Sequence, residues 1–225
     1  MPLEFIIPLV VIIVIADIAV LVVILRAIKG KRDVHMLQLG ERFGLGVTGG
    51  EPLLPQVPFL KGLRKPVQLV GEYRGRLLKI YHYTVGSGKN STTYATARIV
   101  GFAGNAITFE VRKEGVISKL GKVVGIQDVR VGDERFDKLF FLKASDPDFI
   151  AVTFLPEIRT EFYRVWEELD AKGTIRLDGE ELRYDETGKI HNDAGRLRFE
   201  AVVDLLTDLA KAVAVYRSSV DGGNT

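Results

Sequence analysis

Cysteine is absent from all 225 residues, which excludes a disulfide scaffold, a thiolate metal site and a cysteine nucleophile. Histidine is nearly as scarce. His35, His82 and His191 lie far apart and show neither the spacings of a zinc site nor an HExxH pattern. A large net charge is missing too: 31 Lys and Arg stand against 29 Asp and Glu, a formal +2. What remains is ordinary globular composition, with 47% hydrophobic and 27% charged residues, enough to bury a core. The length suits one folded unit plus an appendage.

The appendage is at the start. From Phe5 to Ile28 only Pro8, Asp17 and Arg26 interrupt the apolar run, and its stretch from Phe5 to Leu25 as a helix would extend about 30 Å, the thickness of a bilayer core. Glu4 is the only charged side chain ahead of it, whereas a signal peptide would carry a basic leader and a small-residue cleavage site. Residues 1–32 are therefore expected to be an uncleaved transmembrane anchor with its basic flank. Arg26, Lys29, Lys31 and Arg32 follow the run. By the positive-inside rule they keep the rest of the chain in the cytoplasm, N-terminus out. The same four cations suit anionic lipid headgroups, or set topology alone.

Asp17 lies mid-span, where a carboxylate costs about 2.5–3.5 kcal/mol on insertion scales. Two readings stand: a helix–helix contact with another membrane subunit, or a protonated aspartate that the surrounding hydrocarbon tolerates. Residues 1–66 carry +3 and the remainder −1, so the folded part does not concentrate the positive charge that nucleic acid demands. No nucleic-acid partner is expected.

Residues 33–66 read as a short helix, His35 to Phe43, closed by Gly44, and then a Gly/Pro-rich strap with Pro52, Pro55 and Pro58. Residues 67–217 read as one cytoplasmic α+β domain, an antiparallel sheet covered on one face by helices. VQLVGEY, LLKIYHYTV, TTYATARIV and AITFEVRK have the composition of successive strands in a meander. Ser145 is placed to cap a short helix with Pro147 in its first turn, and Pro156 restarts it. Along that next helix Ile158, Phe162, Val165 and Leu169 form a stripe. TIRLDG and EELRYDE form a hairpin about Asp178-Gly179, a dipeptide favouring a type I′ turn. A long closing helix carries Phe199, Val202, Val203, Leu206, Leu209, Ala210, Val213 and Tyr216 on its apolar face, with Asp204, Asp208 and Lys211 facing away. Residues 218–225 read as a tail.

Motifs with chemistry are few. Gly86-Ser87-Gly88-Lys89-Asn90-Ser91-Thr92 resembles a phosphate-binding loop, but Asn90 follows the lysine and Tyr83 stands where the first glycine belongs. Between two strands it is a hairpin tip, whose Ser87, Lys89 and Asn90 could contact a partner or a membrane surface. In VISKLGKVVGI, residues Ile117, Leu120 and Val124 share one side of a helix and Lys119 and Lys122 another. That pattern suits a membrane or partner surface, or a covered connection. His82 alternates away from Tyr81 and Tyr83 and reads as a half-buried sheet histidine. Paired carboxylates such as Glu167 with Glu168 are surface groups. No catalytic constellation, metal site or cofactor is expected.

GEYRGRLLKIYHYTVGSGKNSTTY, KLGKVVGIQDVRVGDERFDKLFFLKASDP and the closing helix resemble an uncharacterised group of bacterial membrane-anchored proteins with one N-terminal span and a cytoplasmic α+β domain. The resemblance runs from about Gly71 to Tyr216. It implies location and architecture, and no catalytic residues. The expected function is a non-enzymatic accessory or scaffold subunit of a larger membrane complex, with other membrane subunits as partners. The alternatives are a membrane-tethered lipid or ligand sensor and, last, an unrecognised enzyme.

Overall fold

The computed structural model describes residues 34–49, 66–102, 107–115 and 127–222. The expected anchor with Asp17, Arg26, Lys29, Lys31 and Arg32 lies outside them, as do most of the strap and the segment with Ile117, Lys119, Leu120, Lys122 and Val124. Among the described residues no helix is long and apolar enough to cross a membrane.

The α+β reading holds. Nine strands form a single antiparallel sheet in the order β1-β2-β3-β4-β9-β8-β5-β7-β6. They are β1 Gly46–Thr48, β2 Gln68–Tyr73, β3 Arg76–Val85, β4 Thr92–Val100, β5 Phe109–Lys113, β6 Gln127–Asp128, β7 Phe140–Ala144, β8 Thr174–Asp178 and β9 Glu181–Thr187. Helices α1 (34–43), α2 Glu134–Leu139, α3 Pro147–Thr153, α4 Pro156–Tyr163 and α5 Asp193–Gly222 complete the fold.

The meander is correct for β2, β3 and β4 but stops there. The β8–β9 hairpin takes the place beside β4, and β5 pairs with β7 and β8 instead. Asp178 opposes Glu181, so the turn residues are Gly179 and Glu180, and of these only Gly179 has positive φ, 60°. A single positive φ at the first central residue is the type II′ pattern, not the type I′ expected.

One sheet face is apolar. Leu69, Leu78, Ile80, Ala97, Ile99, Leu182, Tyr184, Ile175, Leu177, Phe109, Val111 and Leu142 alternate onto it and are buried. Helix α5 lies on this face through Phe199, Val202, Val203, Leu206, Leu209 and Val213. Its start is capped by Asn192, whose side chain accepts from Gly195 N at 2.8 Å. The helix runs on through Gly222, into residues the sequence reads as tail. Asp204 does not face away: it accepts from Tyr73 Oη at 3.0 Å and lies 3.2 Å from Arg74.

The cap of α3 is shifted by one residue. Asp146 accepts from the amides of Asp148 and Phe149, while Ser145 Oγ accepts from Thr108 N at 2.9 Å. A carboxylate is the stronger acceptor for two orphan amides. Helix α4 continues into a π turn, Arg164–Glu168, which lets both Val165 and Trp166 reach the core. Trp166 stacks on Phe162 at 5.1 Å and meets Phe140 edge-on.

The chain directions define two ends. At one lie the starts of α1 and α5, joined by His35 Nδ1 and Asp193 Oδ1 at 3.7 Å. The β3–β4 hairpin tip and the loop 188–192 are there too, since Gly188 N bonds Thr93 O and Ile190 N donates to His82 Nε2. At the other lie the β2–β3 and β8–β9 turns and the last turns of α5.

Candidate interaction site

Past Thr207, α5 stands as a ridge between two grooves. The first, about 670 Å³, is lined by Arg74, Gly75 and Arg76 on one side and by Asp208, Lys211 and Ala214 on the other. The second, about 590 Å³, runs between α5 and the α3–α4 corner, with Val152, Ile158, Ala212, Val215 and Tyr216 as apolar walls. Asp208, Lys211 and Val215 line both. Val152 and Val215 are 54% and 61% exposed.

The walls are rigid. Tyr216 Oη donates to Asp146 at 2.8 Å, tying α5 to the α3 cap, and Arg76 donates to Ala210 O at 3.2 Å while lying over the Phe102 ring. Arg74 has φ 49° beside Gly75 at 77°, so the two-residue β2–β3 turn is of type I′. A non-glycine residue in that region costs about 1–2 kcal/mol, and here it places a guanidinium between Asp204 and Asp208. Burial pushes the Asp208 carboxyl up; Asp204 and Glu161 act the same way, while Arg74 and Lys211 oppose them. In the second groove Thr153 is 2% exposed and its hydroxyl has no hydrogen-bond partner. A polar atom left so costs about 1–3 kcal/mol, which an occupant able to bond it would recover.

The second sheet face is polar and carries no helix among the described residues. Register aligns Lys79, Arg98, Arg183 and Arg176 on four neighbouring strands, with Glu110 next on β5. Like charges directly opposed are unfavourable, and carboxylates on the same face offset them. Arg98 pairs with Glu181 at 2.8 Å, Arg183 Nε lies 3.4 Å from Asp185, and Arg176 pairs with Glu110 at 2.7 Å. Tyr83 Oη donates to Asp185 at 3.0 Å, and burial first, then that carboxylate, push its pKa up. Arg98 also lies over the Tyr81 and Tyr83 rings. The three arginines of the row thus each lie against a carboxylate of the fold, a structural lattice rather than an open charged site.

The apolar face holds one buried polar network. Tyr184 Oη donates to Glu186 and accepts from Gly173 N at 3.1 Å, and Arg198 grips both Glu186 oxygens at 2.8 and 3.0 Å. His82 lies nearby, on the face opposite Tyr81 and Tyr83 as its alternation requires. Burial, with Lys189 adding to it, lowers its pKa from 6.5 to about 4. The ring is therefore neutral in the fold and accepts from Ile190 N at 3.0 Å. Above the unfolded value both states are neutral and stability is complete. Between 6.5 and about 4 the unfolded ring binds a proton that the folded one refuses, so stability falls by up to roughly 3 kcal/mol. Urea midpoints measured across that window should show the slope, and His82→Gln, which keeps an acceptor but does not titrate, should flatten it.

Ser87, Lys89 and Asn90 sit where the sequence puts them, on an exposed hairpin tip shaped by a 3₁₀ turn, Gly88–Asn90. They are remote from the α5 grooves, at the opposite end of the strands. His191 is exposed. Among the described residues no cluster of His, Asp and Glu could hold a metal ion. The groove residues escape a reading of the sequence. Val215 lies off the apolar stripe of α5, the one local signal present, and nothing in sequence sets Val152 and Arg74 on either side of it.

No family model matches the chain, and no curated protein matches it. A solved structure similar to it is the crystal structure of the mycobacterial trehalose monomycolate transport factor A, TtfA. The TM-score is 0.51 at 10% identity, with 84% of this chain and 95% of that one covered. At that identity the likeness is one of fold alone.

Proposed function

We propose that the chain is a membrane-anchored accessory subunit that performs no chemistry itself and docks a partner protein on the α5 ridge. The observation that carries this reading is the pair of grooves sharing Asp208, Lys211 and Val215. Their volumes are those of ligand-sized clefts, and an exposed apolar ridge flanked by charges suits a peptide segment with alternating apolar and polar anchors. The grooves lie at the end of α5 far from the start of α1, where the expected anchor joins, so a partner is held away from the bilayer. The anchor, through Asp17, would contact a second membrane subunit. That the similar fold of TtfA is named a transport factor supports an accessory role in a membrane process.

Copurification of the full chain in mild detergent tests this. A stoichiometric partner should be retained by the wild type, lost with Val152→Asp/Val215→Glu, and weakened with Asp17→Leu. Both valines are exposed, so the domain should keep its thermal stability. A free monodisperse monomer, or a partner indifferent to the two valine changes, would remove the basis for the reading.

A further inference from the structure

We infer that the end of the domain bearing the β3–β4 tip, loop 188–192 and the first turns of α1 and α5 rests against the anionic headgroups of the membrane. This deepens the anchored reading and rests on it.

Elements from three separate parts of the sequence converge there: α1, the β3–β4 tip, and loop 188–192 with the start of α5 that follows it. The described part of α1 opens at Val34, six residues past Ile28, the last residue of the apolar run, and six residues reach at most about 20 Å even when fully extended. His35 Nδ1 near the described start of α1 lies 3.7 Å from Asp193 Oδ1 at the start of α5, and Arg42 lies 3.9 Å from Asp204, so the two helices run parallel from this end. The short connection therefore delivers this end, and not the groove end, to the bilayer. The strands separate the ends: β3, with 10 residues, spans about 33 Å.

The surface chemistry agrees. Val34, Leu37 and Leu197 are exposed large apolar side chains on the first turns of the two helices, placed for shallow contact with the interface. Lys89 on the hairpin tip is exposed, and Lys189 in the loop faces outward beside His82. Among the described residues neither has a carboxylate partner. The carboxylates of Asp193, Asp170 and Glu186 at this end are paired with Arg196, Lys172 and Arg198; Glu168 on the π turn stands against the lysines as an unpaired acid. In sequence, Arg26, Lys29, Lys31 and Arg32 follow the expected span and precede this end, a composition that suits the same headgroups. An anionic surface is thus met by apolar side chains and unpaired lysines on a tethered end, and the α5 grooves are presented upright into solution.

The lack of cysteine allows a direct test on the full chain. Ser87→Cys at the tip and Glu180→Cys at the β8–β9 turn, each labelled with one fluorophore, are reconstituted into phosphatidylcholine vesicles containing phosphatidylglycerol and a headgroup-linked nitroxide quencher. Quenching should be several-fold stronger at 87 than at 180, and the gap should shrink when Lys89→Glu/Lys189→Glu is added or phosphatidylglycerol is left out. Equal quenching at the two positions in vesicles that keep the protein through alkaline carbonate would overturn the orientation while leaving the anchor intact. A gap that ignores both lysines and lipid charge would overturn the headgroup contact. Release of the protein by carbonate would overturn the anchor and this inference together.

Discussion

Glu110→Ala is expected to destabilise the folded domain by about 3–5 kcal/mol, the cost of removing one member of a buried ion pair. Arg176, 2% exposed, sends Nε and Nη2 to one oxygen of Glu110, at 2.8 and 2.7 Å, and Arg112 approaches the other at 3.3 Å. Removing the carboxylate leaves Arg176 at the end of a row that already sets Lys79, Arg98 and Arg183 against one another across four strands. A charged row of that kind, in surroundings of low dielectric, puts the effect at the upper part of the range. The measurement is a urea midpoint on the full chain, wild type against variant. A loss below about 1 kcal/mol, the size of an exposed pair, would show that water screens this face. Glu110→Leu/Arg176→Met should recover much of the loss, because replacing both partners removes the buried charge rather than orphaning it. If the double change is as damaging as the single one, the pair serves packing and not charge.

That row explains why part of the fold can be read from sequence and part cannot. Strands β2, β3 and β4 announce themselves by local alternation, and α5 by a stripe from Phe199 to Val213, because both signals depend on neighbours in sequence. The facing of His82 away from Tyr81 and Tyr83 follows from the same alternation. The cationic row is a property of register. Lys79, Arg98, Arg183 and Arg176 are unremarkable singly and meet only once the β8–β9 hairpin has been set beside β4, a choice made by tertiary packing. Small shifts have the same origin. Ser145 and Asp146 are both fit to cap α3, and Thr108, just ahead of β5, decides between them by occupying the serine. The type II′ turn at Gly179 differs from the expected type I′ because the partner of Asp178 is Glu181, a pairing that the dipeptide alone does not encode. The α5 grooves belong to the same class. Their walls come from the β2–β3 turn, the α3–α4 corner and one helix, and the φ of Arg74 leaves no mark in the sequence.

Gly173→Ala is expected to cost about 3 kcal/mol, at the upper end of what overpacking a tight site exacts. The position does not need glycine for its backbone: Gly173 is absent from the residues with positive φ, so alanine strains no dihedral. The conflict is one of space. A methyl group built there falls well inside contact distance of the Tyr184 ring carbons and 2.6 Å from the Asp185 carbonyl oxygen. The ring has little room to yield, since it is fully buried and packed edge-on against Trp166 at 6.0 Å and Phe199 at 5.5 Å. Its hydroxyl is also held on Glu186 and receives the Gly173 amide. Displacing it loosens the carboxylate that Arg198 of α5 grips with two bonds, so a strand-edge change is transmitted to the helix that separates the two grooves. Trp166 is the only tryptophan in the chain, which makes its emission a reporter of this one site. A red-shifted, more quenchable emission together with a lower urea midpoint is the expected result. An unchanged spectrum with full stability would mean that β8 and β9 separate freely enough at this end to admit the methyl group, and that Tyr184 does not lock α5 to the sheet.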